Sequence, residues 1–123
     1  MLATMDSWSG LGRAGAAALA QNRSGAPVSL RAHFRLSADH GRLLPLLEAA
    51  LAAAGSWFAS APSRAYALGD LRTGEITALV NYAGGQTALV SVGVLLDPLP
   101  LADLLLIGNH GTLRFQEPLA PGD

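Results

Sequence analysis

The last third of the chain predicts a β-sheet that is apolar on both of its faces. Residues 74–82, 86–95 and 103–115 have the composition of strands. In the second of these segments the alternate positions are apolar on both sides, with Ala88, Val90, Val92 and Val94 on one side and Leu89 and Leu95 on the other. A strand that is wet on one face alternates apolar with polar residues. We therefore expect this sheet to be covered on both faces.

The rest of the chain predicts two helices and further strands. The Ala-rich run 13–22 and the apolar stripe within 42–58 favour helices. Strict alternation over 27–36 indicates a half-exposed strand near an edge of the sheet. Residues 64–95 predict an antiparallel meander, and a hairpin that turns at 108–111 follows it.

Together these elements predict an α+β domain, with a mostly antiparallel sheet of about six strands and two helices on one face. We expect the domain to occupy residues 13–116, after a flexible lead at 1–12 and before a loose tail at 117–123. The helices can cover only one face, so we expect the other face to bind a protein surface, as in a homodimer. The residues predicted for this interface are Leu79, Leu89, Val90, Val92 and Val94.

The composition agrees with this interpretation and excludes several functions. Half of the 123 residues are apolar and only 14% are charged, against about 25% in a typical soluble domain. The net charge of −1 gives no attraction for nucleic acid or an anionic membrane, and the absence of Cys excludes disulfides and thiolate chemistry. The apolar run 43–59 is shorter than the roughly 20 residues that span a bilayer. Since no signal-peptide pattern opens the chain, we expect a cytoplasmic protein.

One glycine motif matches a nucleotide-binding fingerprint. Gly10, Gly12 and Gly15 have the spacing G-x-G-x-x-G, which binds pyrophosphate when it follows a buried strand and opens a helix. Residues 1–9 do not form an apolar strand, and the strand after the helix ends without an acidic residue for the ribose. We interpret the motif as a chance match in a Gly-rich chain and predict no cofactor.

The histidines and serines form no pattern typical of catalysis or metal binding. His33, His40 and His110 lack the i, i+4 spacing of zinc ligands on a helix. Ser56 and Ser91 lack the context of a nucleophile elbow. We therefore predict neither a catalytic residue nor a metal site among them.

The remaining charged residues are also interpreted as solvated. Glu48 is the sole charge in the middle of the main helix and is expected to face solvent. Arg31, Arg35 and Arg64 could form a basic strip across neighbouring strands, or a solvated edge with ion pairs. Of these two readings we favour the solvated edge.

Four segments, taken in order, resemble a known family. They are the strand entry SGAPVSLRA at 24–32, the helix end and strand from SWF to RAYAL at 56–68, the hairpin TALVNYAGG at 77–85 and the hairpin LIGNHGTL at 106–113. Together they are similar to the C-terminal domain of the glucose–fructose oxidoreductase/inositol dehydrogenase (Gfo/Idh/MocA) family, over residues 12–115. The resemblance implies an α+β fold and a homodimer in which the open faces of two sheets pack together.

The resemblance does not extend to the catalytic groups of that family. The positions of its helical His and acid fall near Ala50 and Leu46, neither of which can transfer a proton. The family's Lys has no counterpart, since the chain contains no Lys, and its NAD(P)-binding Rossmann domain has no counterpart in this sequence. No catalytic or cofactor-binding residue is therefore carried over.

Three functions remain open at this point. The favoured one is a non-catalytic, truncated oxidoreductase-like domain that serves as a dimerisation scaffold or binding module. In the second, the chain supplies the substrate side of a split NAD(P)-dependent oxidoreductase, and a separate protein supplies the Rossmann domain. In the third, the domain binds a small ligand between helix and sheet.

Overall fold

The computed structural model describes residues 6–21, 25–37, 41, 43–70, 72–95 and 101–118. The elements in these ranges are, in order, α1 (Asp6–Ala20), β1 (Pro27–Ser37), α2 (Leu43–Phe58), β2 (Pro62–Asp70), β3 (Glu75–Tyr82), β4 (Thr87–Leu95), β5 (Leu101–Gly108) and β6 (Gly111–Pro118). The α+β fold, the meander and the final hairpin are therefore confirmed.

All six strands form one sheet, with the order β2-β3-β4-β1-β5-β6. β1 and β4 run parallel, and the other neighbouring pairs are antiparallel. β1 thus lies in the middle of the sheet, and the prediction that it lies near an edge is wrong. Its residues alternate because one face of the sheet is uncovered, and this gives a central strand the same pattern as a half-exposed edge strand.

The two helices pack on the same face of the sheet, which we call the covered face. α2 buries six side chains against it: Leu43, Leu46, Leu47, Ala50, Ala54 and Phe58. The sheet contributes fully buried residues from its central strands, among them Leu30, Phe34, Val90, Val92, Leu104 and Leu106. Burying one such side chain contributes about 1.5–3 kcal/mol, so this layer is the main source of stability.

α1 begins earlier than the sequence predicts, whereas α2 begins close to its predicted start. α1 begins at Asp6, so residues 6–12 are helical rather than a flexible lead; residues 1–5 lie outside the described ranges. α2 begins at Leu43, which places Pro45 in the first turn. A proline is tolerated there because the first backbone N–H groups of a helix have no intrahelical acceptor.

One glycine of the G-x-G-x-x-G motif serves helix packing. Gly10, Gly12 and Gly15 all lie inside α1, whereas a phosphate-binding motif places glycines in the loop that precedes the helix. A Cβ atom at Gly15 would lie 2.8 Å from Cη2 of Trp57. Gly15 therefore lets α1 approach α2 closely.

An aromatic pair fixes the end of α2 on the sheet. The rings of Phe58 and Tyr82 meet edge to face, with centroids 5.0 Å apart. The Tyr82 hydroxyl donates a hydrogen bond of 3.4 Å to the Leu51 carbonyl. Phe58 is buried in the core, and Trp57 is half-buried against it.

The turn between β5 and β6 is tied to the start of β1. The Asn109 backbone N–H donates to the Ala26 carbonyl, and the Ala26 N–H donates to Asn109 Oδ1, both at 3.0 Å. Gly111 has a φ of 153°, in the region that favours glycine. The Asn of this turn is thus explained by its hydrogen bonds to Ala26, and the Gly by its backbone conformation.

Candidate functional site: the open face of the sheet

The face opposite the helices, which we call the open face, carries exposed apolar side chains at one end. Tyr66 of β2 pairs with Leu79 of β3, and Leu79 pairs with Leu89 of β4, so the three form a row across three strands. Leu68 lies beside this row on β2. The exposed fraction is 78% for Leu68, 52% for Tyr66 and 36% for Leu79. We call these four residues the apolar patch; neighbouring exposed apolar side chains are typical of an interaction surface.

The predicted interface residues divide between the two faces. Leu79 and Leu89 lie on the open face, as members of the apolar patch. Val90 and Val92 lie on the covered face with no exposed surface, and Val94 packs against the same core. Val90 and Val92 therefore cannot contact a second molecule, which corrects their assignment to the interface. In the sequence, Val90 and Val92 are as apolar as Leu89. Only the position of α2 distinguishes the two sides of β4.

Much of the open face is polar. The hydroxyls of Ser29 and Thr87 are 3.2 Å apart, and so are those of Thr77 and Ser91. Leu89 is thus flanked on β4 by a threonine and a serine, and the strand is less apolar on this face than the sequence suggests. The side chain of Leu95 lies outside the described residues.

A depression of about 360 Å³ lies near the centre of the open face. Ser91, His33 and Asp103 stand in register on β4, β1 and β5, so their side chains are neighbours on this face. Arg31 and Arg114 also line the depression. Its walls therefore combine guanidinium, imidazole, hydroxyl and carboxylate groups.

Two electrostatic interactions organise the depression. Arg114 donates two hydrogen bonds to Asp103, Nε to Oδ1 at 3.1 Å and Nη2 to Oδ2 at 2.9 Å, and this carboxylate raises the pKa of Arg114. Burial lowers the pKa of His33, and the charge of Arg35 lowers it further, while Asp103 and Glu75 oppose this shift. His33 is therefore favoured in its neutral form.

The other polar residues singled out in the sequence are dispersed. Arg31 and Arg35 lie on β1, but Arg64 lies on β2, which is separated from β1 by two strands, so the three do not form one basic strip. Glu48 is exposed on α2, as predicted, and His110 is exposed in the β5–β6 turn. No group of three His, Asp or Glu side chains suited to a metal ion is found within the described ranges. His40 falls outside these ranges.

Sequence reasoning missed the depression because it placed β1 at an edge. The pairing of His33 with Asp103 requires β1 to lie beside β5, and no local signal specifies that pairing. The ion pair between Arg114 and Asp103 could have been predicted from the sequence. The turn after Gly108 fixes the register of β5 and β6, and this register brings Arg114 close to Asp103.

A second cavity lies on the covered face, between α2 and the strands that α2 does not fully cover. It has a volume of about 430 Å³ and is almost entirely apolar. We call it the α2 groove; it is lined by Leu51, Ala52, Gly55, Ser56, Pro62, Ala65, Val80 and Tyr82. Its existence is consistent with the third function considered from the sequence, a small ligand bound between helix and sheet.

The two positions near which the resemblance places the family's catalytic His and acid lie inside the protein core. Ala50 is 0% exposed and Leu46 is 2% exposed, and both side chains face the sheet. They line neither the depression on the open face nor the α2 groove.

The same fold occurs in solved dehydrogenase structures. Over 91% of this chain it matches myo-inositol 2-dehydrogenase from Lactobacillus plantarum, with a TM-score of 0.66, 12% sequence identity and 40% of that protein's length. It matches scyllo-inositol dehydrogenase from Lactobacillus casei with bound NAD(H) and scyllo-inositol over 91% of this chain, with a TM-score of 0.65, 15% identity and 40% of that protein. GenD2 from gentamicin A biosynthesis, in complex with NAD, matches over 79%, with a TM-score of 0.63, 17% identity and 34% of its length.

These similarities confirm the resemblance at the level of the fold. The chain spans about two fifths of the inositol dehydrogenases that it matches. No protein-family model matches the sequence, and no curated protein does. Among the described residues, neither helix is long and apolar enough to cross a membrane.

Proposed function

We propose that this domain is a non-catalytic docking module that forms a homodimer through its open face. The observation that carries the proposal is the apolar patch, which leaves large side chains such as Leu68 mostly in water. Burying a Leu side chain completely is worth about 1.5–3 kcal/mol. Because a twofold interface uses the same patch on both copies, each such side chain contributes twice.

The polar centre of the open face is compatible with this role. The hydroxyls of Ser29, Thr87, Thr77 and Ser91 bond to one another in pairs, and Arg114 pairs with Asp103. Polar groups that already have partners cost less when an interface removes water from them. The open face therefore offers an apolar patch beside a satisfied polar surface, as protein interfaces commonly do.

The burial of Leu46 and Ala50 supports the proposal that the domain is non-catalytic. The side chains of Leu46 and Ala50 point into the sheet and carry no group that transfers a proton. NADH oxidation or NAD(P)+ reduction by this domain, alone or with a co-purified nucleotide-binding protein, would instead favour the split-oxidoreductase alternative.

Light scattering on a sizing column tests the homodimer. At roughly 10 µM, a dimer with a Kd of about 1 µM is mostly associated, and Leu89→Arg should lower the measured mass by removing association through the open face. Leu44→Arg is the matched control, because Leu44 is 41% exposed on α2, away from the open face. A wild-type monomer at this concentration, or equal effects of both substitutions, would contradict the proposed interface.

A second candidate function is the binding of a small apolar ligand in the α2 groove. The groove's lining favours an apolar molecule, because the hydroxyl of Tyr82 already donates to the Leu51 carbonyl. A Cβ at Gly55 would meet only ordinary van der Waals contacts, the nearest at 3.7 Å. Gly55→Leu should therefore fill the groove without disturbing the fold and abolish binding of the apolar dye ANS. Undiminished dye fluorescence in this variant would reject the groove as the binding site.

A further inference from the structure

β2 forms one edge of the sheet, and each of its residues from Pro62 to Asp70 is exposed. Within the described part of the chain, no strand lies along its outer side. Natural edge strands are commonly blunted by charged residues, above all Lys, by an internal Pro, by a bulge or by shortness. β2 is 9 residues long, has no Lys, and has Pro only at its first position; its irregularities are the register shift between Pro62 and Arg64 and the φ of 96° at Gly69. This edge can therefore accept another strand.

The sequence of β2 is self-complementary in one antiparallel register. With Ala67 on a twofold axis, Arg64 of each copy stands opposite Asp70 of the other, and Tyr66 stands opposite Leu68. All four of these side chains lie on the open face, since they pair on β3 with Asn81, Glu75, Leu79 and Thr77. Opposite charges and apolar side chains that face each other directly across strands stabilise a sheet.

Neighbouring registers lose this match. Shifting the second copy by two residues places Arg64 opposite either Leu68 or Arg72. The first pairing leaves Arg64 without a charged partner across the strand, and the second sets two like charges against each other. The register centred on Ala67 is thus the one that pairs the charges.

The groups that would meet at this edge are accessible. Asp70 accepts the Thr73 backbone N–H with Oδ1 at 2.8 Å, which leaves its second oxygen available. Arg64 uses one terminal nitrogen in a hydrogen bond of 3.2 Å to the Tyr66 hydroxyl, and its other nitrogens can donate to a carboxylate. On the side of the covered face, Ala65 would stand opposite Gly69, so only small residues meet there.

We propose that two copies of this chain pair edge to edge through β2, in the antiparallel register with Ala67 on the twofold axis. The pairing joins two six-stranded sheets into one continuous sheet. It also joins the two apolar patches, because Tyr66 and Leu68 of both copies lie at the seam. This interface is distinct from the face-to-face homodimer, which leaves the edges of β2 free.

Cysteine cross-linking tests the register, since the chain has no Cys of its own. In the proposed register, Cys in Ala67→Cys lies about 5 Å from its counterpart, within reach of a disulfide or a short bis-maleimide. In the control Ala65→Cys, the two thiols are roughly 14 Å apart, since they are offset by four residues along the strands. Face-to-face dimers hold Ala67 on their outer surfaces and would cross-link neither variant. Efficient dimer formation by Ala67→Cys alone is expected; equal cross-linking of both variants, or of neither, would overturn the proposal.

A charge swap supplies an independent measurement. Arg64→Asp should weaken edge pairing roughly tenfold, because two attractive pairs become repulsive. The double variant Arg64→Asp/Asp70→Arg should restore it. Both are best measured in the Leu89→Arg background, where face-to-face association is removed, with thermal unfolding as a check on the Asp70 turn. Equal weakening in the single and the double variant would contradict the Arg64–Asp70 pairing.

Discussion

Placing a histidine at Ala50 tests whether this position can hold the catalytic group that the resemblance puts there. Ala50 is 0% exposed and lies on the face of α2 that packs on the sheet. Adding an imidazole ring to a packed core costs about 1–3 kcal/mol in strain. Leaving its polar nitrogens buried without partners costs a further ~1–3 kcal/mol. We therefore expect Ala50→His to lower the free energy of unfolding by about 2–6 kcal/mol, out of a typical total of about 5–15 kcal/mol.

Urea unfolding at pH 8 followed by circular dichroism measures this loss directly. At about 4 °C of Tm per kcal/mol, Tm should fall by roughly 8 °C or more. The loss should grow as the pH falls below about 6.5, because the unfolded chain then binds a proton that the buried imidazole resists.

Ala52→His is the matched control, since Ala52 is exposed on the same helix. Its cost should stay within about 0.7 kcal/mol, which is the difference in helix propensity. If the two variants unfold with the same free energy both at pH 8 and below about pH 6.5, Ala50 does not face the core. The family's histidine position would then be open to a substrate, and the argument against catalysis would fail.

Three further substitutions test the packing and the electrostatics of the domain. Gly15→Val should destabilise the fold by about 1–3 kcal/mol in chemical denaturation, since even a Cβ would lie 2.8 Å from Trp57; a neutral result would show that α1 and α2 are further apart. Leu104→Ala should cost about 2–5 kcal/mol, because Leu104 is fully buried, and half-buried Leu105→Ala should cost clearly less; equal losses would contradict the assignment of faces on β5. The pKa of His33 is lowered in the folded protein. As the pH falls through about 6.5, His33 in the unfolded chain therefore binds a proton before His33 in the folded protein does. The free energy of unfolding should decrease from this pH down to the lowered pKa of the folded state. His33→Gln should flatten this part of the stability profile between pH 7.5 and 5.5, and an unchanged slope would assign it to other groups.

Local pattern was enough to predict most elements of this fold. The apolar stripe of α2 and the alternation in β3 are periodic signals, and the glycine-containing turns between the later strands allowed the meander to be predicted. The order of the strands was not accessible in the same way. Apolar and polar residues alternate in β1 whether the strand lies at an edge of the sheet or between two other strands. The parallel pairing of β1 with β4 depends on contacts that are distant in sequence.

The candidate site shows a similar limit. The sequence predicts surplus apolar surface, and Leu79 and Leu89 lie on the open face. The sequence-based prediction also assigned Val90 and Val92 to the interface, because the pattern of an apolar strand does not indicate which of its sides a helix will cover. Tyr66 and Leu68 were not assigned to the interface, although they are the two most exposed members of the apolar patch. Their exposure follows from the lack of a covering layer on the open face at β2, which no local pattern encodes.

The width of the helical layer explains why β2 is exposed on the covered face as well as on the open face. Neighbouring strands are about 4.8 Å apart, so the outermost of six strands are roughly 24 Å apart. Two helices side by side, each about 10 Å wide, span roughly 20 Å, which is about the distance between the first and the last of five strands. α1 packs on β5 and β6, and α2 packs on β1, β3 and β4, which leaves β2 beyond the layer. The same geometry produces the α2 groove beside β2, and association of β2 with a second copy would complete the side of the domain that its own helices do not cover.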